Sequence, residues 1–142
     1  MILRGKIVPG FSGAAGSIKK QKPFLQSYIP DISSVHDGTI NVQLESPLFV
    51  REYDIETPPI EWVTGFWEIF RIIRARIQLC PCEPSFGNAI PCLLYFAEAS
   101  PHHFNPYLVE VVTKELVLTD VKECFIFLTK PCCILVGDKR VF

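Results

Sequence analysis

Apolar residues recur at every second position through much of this chain, the spacing that lines one face of an extended backbone. Runs rich in β-branched and aromatic residues predict strands over residues 3–8, 39–44, 48–53, 66–79, 89–97, 107–113, 123–128 and 132–136. The segment 66–79 carries two patterns. Trp67, Ile69, Ile73, Ala75, Ile77 and Leu79 alternate, while Phe66, Ile69, Phe70, Ile73 and Ile77 also fit a helical stripe. The weight of isoleucine and aromatic residues, after a Thr64-Gly65 turn, reads as strand. Helix is expected only in short pieces. Pro23 is placed to open one at its first position, with Phe24, Leu25, Tyr28 and Ile29 toward the core, and a second is read over 113–118. The 12 prolines are scattered and disfavour long helices. Many short strands divided by turn signals predict an all-β chain: a closed, mainly antiparallel barrel with less than roughly a fifth of its residues helical. No repeat or linker divides residues 1–142, so one domain is expected.

Composition narrows the function classes. A hydrophobic fraction of 49% against 20% charged residues supplies a real core, and the net charge of -1 gives no bulk attraction to nucleic acid or to an anionic membrane. No run of about 18 apolar residues exists for a membrane span, and the start lacks the layout of a signal peptide, so a cytoplasmic protein is expected. Six cysteines in that setting are expected as free thiols. Cys80-Pro-Cys82 has ligand-like proximity, but a structural zinc site normally needs two such pairs or added histidines.

Two stretches carry candidate chemistry. The first, Gly10-Phe-Ser12-Gly13-Ala-Ala-Gly16-Ser, directly follows a predicted strand. Small residues let successive N–H groups approach an anion, although the same composition also makes a plain loop. It lacks the P-loop ending and a βαβ context. The second is Asp37-Gly38-Thr39-Ile40-Asn41-Val42, a turn running into a strand. Thr39 and Asn41 lie two apart, so their side chains share a face, and both offer the hard neutral oxygens that suit Mg²⁺. Capping the turn and pairing across strands is the alternative role for the same two residues. Lys19, Lys20 and Lys22 follow the glycine-rich stretch, either as phosphate partners or as a solvated basic run.

In order, Arg4-Gly-Lys-Ile-Val-Pro-Gly10, the glycine-rich turn, and then Gly38-Thr-Ile-Asn-Val42 resemble the CTP-dependent riboflavin kinases of archaea. The similarity continues through the long strand over 66–79, the loop Ser100-Pro-His-His-Phe104 and Leu108-Val-Glu-Val-Val112, covering about residues 2–128 and leaving 129–142 as an extension. The resemblance implies a six-stranded cradle-loop barrel that moves the CTP γ-phosphate to a ribityl hydroxyl of riboflavin, giving FMN. It implies Mg²⁺ held by Thr39 and Asn41, a nucleotide loop shaped by Gly10, Ser12, Gly13 and Gly16 with Lys19 nearby, and flavin-side contacts from His102 and His103. In the family's arrangement Glu98 and Glu110 are carboxylates near the same end, and the resemblance implies that either one could orient the hydroxyl nucleophile. This chain departs from the family at Ser12, which stands where a glycine is usual, and at Val121-Lys122, which replaces an Asp-Gly pair. A non-catalytic barrel of the same ancestry, binding a nucleotide, a flavin or a protein partner, is the alternative function.

Overall fold

A computed structural model describes residues 1–8, 14–35, 38–79, 83–98, 105–114, 123–128 and 133–135. In chain order these form β1 (Ile2–Val8), α1 (Ala14–Leu25), a 3-10 turn (Pro30–Ser34), β2 (Ile40–Leu44), β3 (Leu48–Val50), β4 (Ile55–Glu56), β5 (Ile60–Val63), β6 (Phe66–Glu68) and β7 (Phe70–Leu79). A second 3-10 turn (Phe86–Asn88) then leads to β8 (Ile90–Ala97), β9 (Leu108–Thr113), β10 (Glu123–Phe127) and β11 (Cys133–Leu135).

Six strands close on themselves in the order β1-β2-β9-β8-β7-β10, and the β10–β1 pairing completes the circle. Every pairing is antiparallel, so the expected all-β barrel is what the chain builds. β4 pairs with residues 71–72 of β7, on the edge whose other end, 76–79, pairs with β10, while β3–β11 and β5–β6 form two small satellite ladders.

Period-two alternation sends one set of side chains into the barrel. Leu3, Val42, Leu44, Ile73, Ala75, Ile77, Cys92, Leu94, Val109, Val111, Cys124 and Ile126 come from all six strands and make one buried cluster. Gly5 belongs to the inward set of β1, where the backbone of β2 comes close. A Cβ there would stand 2.6 Å from the carbonyl oxygen of Gln43 and 2.7 Å from Val42 Cγ1.

Part of the barrel's outer face is also buried. Phe70 and Ile72 of β7, Leu93, Tyr95 and Ala97 of β8 and Val112 of β9 pack against Ile18 and Leu25 of α1, with Ile29 and Ile32 beyond it. This second layer explains why β8 reads as a nearly continuous apolar run and why β7 starts with Phe70 and Ile72 on its outer face: both faces are covered there.

The helix differs from its sequence-based expectation. Pro23 stands inside α1, in its last turn, and the helix lies mostly before it. Ile18, Gln21 and Leu25, at helical spacing, are the buried face, whereas Phe24 and Tyr28 are exposed. Proline lacks the N–H for an i→i−4 bond, so the helix stops two residues later. The segment over 66–79 is extended as expected but breaks at Ile69, because Phe66–Glu68 pairs with β5 and Phe70–Leu79 with the barrel. Gly65, at φ +80°, closes the β5–β6 hairpin in the conformation that a type II turn asks of glycine. Thr113 ends β9, and the remainder of the helix expected over 113–118 falls, apart from exposed Lys114, outside the described residues.

Candidate functional site

β2 begins at the barrel end where β1 and β9 stop. Asn41 stands directly opposite Val8 on one side and Glu110 on the other, and Ile40 stands opposite Val111. Val8 is also the last described residue before the glycine-containing connection to α1, so that connection leaves the barrel beside Asn41.

Thr39 and Asn41 share one property. The Oγ1 of Thr39 and the Oδ1 of Asn41 are both buried, and neither has a hydrogen-bond partner among the described residues. Asn41 as a whole is only 5% exposed. Buried side-chain oxygens are nearly always satisfied, and an unpartnered acceptor costs about 1–3 kcal/mol. Two such oxygens, two residues apart, form an acceptor pair without a donor. A hard cation is the kind of partner that two neutral oxygens suit, and Mg²⁺ typically takes few protein ligands and completes its octahedron with phosphate and water. The residues present fit that ion. Among the described residues no three His, Cys, Asp or Glu side chains form a metal-binding group, so the neutral pair is the distinctive feature.

Across the ladder the same row continues from Asn41 to Glu110, Tyr95 and Ile72, all on the outer face that α1 covers. The Tyr95 hydroxyl donates to Gln21 Oε1 of α1 at 2.5 Å. Burial pushes the Tyr95 phenol well up from its ordinary range, the negative charges of Glu68 and Glu110 push it further, and the bond to Gln21 partly offsets them. Glu68, itself buried, accepts a bond from Trp62 Nε1 at 3.0 Å. A polar contact therefore runs between helix and barrel, tying α1 to β8, the strand next to the one that carries Glu110.

The other expected site residues separate. Glu98 lies beyond the end of β8, where Arg71 reaches it at 3.2 Å and Glu56 at 2.7 Å. The hydrogen bond to Glu56, against the opposing effect of burial, raises the Arg71 pKa. Glu98 is thus drawn into an ion network at the barrel end opposite Thr39, and the fold does not bring it to Glu110. Lys19 and Lys20 are exposed on α1, while Lys22 donates to the carbonyl of Val35 at 2.6 Å. Gly16 falls within the helical backbone of α1. Gly10, Ser12, Gly13, His102, His103, Cys80 and Cys82 lie outside the described residues.

Sequence reasoning missed Tyr95, Gln21 and Glu68. Gln21 sits between lysines and reads as part of a solvated run, although its spacing from Ile18 and Leu25 marks it as inward-facing. Glu68 precedes Phe70 and Ile72 at period two, a signal that it shares their covered face.

Compared with known families and curated proteins, the chain matches no family model and no curated sequence.

Proposed function

We propose that this barrel is a nucleotide-dependent phosphotransferase of the riboflavin kinase type, taking the γ-phosphoryl group of CTP to a ribityl hydroxyl of riboflavin. The observation that carries the reading is the pair of buried, unpartnered oxygens on Thr39 and Asn41. They stand in the Gly38-Thr-Ile-Asn-Val42 stretch that the resemblance singles out, beside the strand end from which the glycine-containing connection departs.

In this reading Thr39 and Asn41 hold the Mg²⁺ that accompanies the nucleotide, and the ion supplies charge neutralisation at the phosphate oxygens. Gly10, Ser12 and Gly13, which follow Val8 in sequence, are the phosphate-side residues that the resemblance implies. Exposed Lys19 and Lys20 on α1, which follow that segment in sequence, would add positive charge for the phosphates. Phosphoryl transfer depends mainly on such positioning and neutralisation. The bond between the γ-phosphorus and the β–γ bridging oxygen breaks, a bond to the ribityl oxygen forms, the hydroxyl proton leaves and CDP departs.

The test is to incubate the protein with riboflavin, Mg²⁺ and each of the common nucleoside triphosphates, then resolve the flavins chromatographically. FMN formed with CTP is the expected result. Absence of FMN with every nucleotide, although Mg²⁺–nucleotide binds, would leave a non-catalytic binding barrel. Absence of both would remove the reading.

A further inference from the structure

We propose that Glu110 is the anionic member of the cation site formed by Thr39 and Asn41, so that the site takes up a divalent metal before any nucleotide arrives. The proposal rests on the reading of Thr39 and Asn41 as the cation's holders and adds to it a residue and an order of binding.

The argument is one of register and charge. Asn41 and Glu110 are directly opposed on neighbouring antiparallel strands. Opposed residues point to the same face with Cβ atoms about 4.5–5.5 Å apart, so a glutamate side chain reaches the level of the asparagine amide. Two neutral oxygens alone leave a dication's charge uncompensated in a site where Asn41 is almost wholly buried. A carboxylate opposite Asn41 supplies the missing negative charge without help from phosphate.

The neighbouring groups do not compete for that role. Tyr95, opposed to Glu110 on its other side, has one hydroxyl proton, and it is donated to Gln21. Glu68 lies on β6, outside the six barrel strands, and Glu98 lies at the other barrel end beside Arg71. Of these carboxylates, Glu110 is the one in register with the unpartnered amide oxygen.

Manganese(II) chloride, without nucleotide, is the probe. Titration of metal-stripped protein, followed by electron paramagnetic resonance, should show one Mn²⁺ per chain. In ¹⁵N spectra the ion should broaden the amides of residues 38–42 and 109–111 together, a readout that needs no variant. Glu110→Gln should weaken Mn²⁺ binding on the order of tenfold or more, since affinity in such sites follows the ligand charge count, while its metal-free melting temperature shows that it folds. Mn²⁺–CTP binding with no binding of Mn²⁺ alone, or equal Mn²⁺ affinity in the variant, would overturn this inference and leave the proposed function standing. Failure to bind either Mn²⁺ or Mn²⁺–CTP would overturn both.

Discussion

Replacing Asn41 with alanine should make the metal-free protein no less stable while removing its response to ligand. The side chain places an unpartnered acceptor in a buried position, at a standing cost of about 1–3 kcal/mol. Truncation relieves that cost and gives up packing worth roughly one methylene, about 0.8 kcal/mol. The net change is a gain of about 0–2 kcal/mol, which for a domain of this size corresponds to a melting temperature unchanged or up by several degrees. Ligand reverses the order. At a Mg²⁺–CTP concentration near 100 times Kd the wild type should gain about 2.7 kcal/mol, whereas the variant gains little. Thermal melts of both proteins after chelation, and again with Mg²⁺–CTP, make the comparison, with calorimetry giving the affinities. If the variant melts well below wild type when metal-free and neither protein responds to ligand, Asn41 is a structural turn residue and the reasoning is wrong.

Other outcomes follow from the same structure. Gly5→Ala should destabilise the barrel by about 1–3 kcal/mol, because its new methyl meets the Gln43 carbonyl and Val42 where β1 and β2 approach most closely; an unchanged urea midpoint would refute this. Burial pushes the Cys92 and Cys124 thiols up to about 12 from 9.0. Between those values the unfolded chain releases protons that the folded chain keeps, so stability should be fully present below pH 9 and fall as pH rises toward 12. Urea unfolding across that range, with Cys92→Ala/Cys124→Ala showing a shallower decline, checks the sign. Thiol titration of the denatured, unreduced chain should find all six cysteines free.

The barrel was legible because its inward residues obey strict alternation, from Leu3 in β1 to Ile126 in β10. The short strands β4 and β5 were not. Ile55–Glu56 and Ile60–Val63 flank Thr57-Pro58-Pro59, and that punctuation masks two brief pairings that only the fold brings together. Helix α1 was misplaced because Gly13-Ala-Ala-Gly16 reads as a turn and because its buried stripe contains a glutamine. Thr39 and Asn41 stood out through their spacing after a turn. Their lack of hydrogen-bond partners could not be read from spacing, since satisfaction depends on neighbours supplied by β1 and β9. Glu98 and Glu110 looked equivalent in sequence, and the Arg71 network distinguishes them.

The pairing that seals the barrel sets residues 2–6 of β1 against residues 123–127 of β10. During synthesis β1 leaves the ribosome well before β10, and one of its two edges has no partner until β10 has emerged. An unpaired edge is a template for wrong pairings, and joining distant segments slows folding. The nascent chain therefore carries an open sheet from β1 until β10 emerges, exposed over that interval to aggregation or to capture by chaperones.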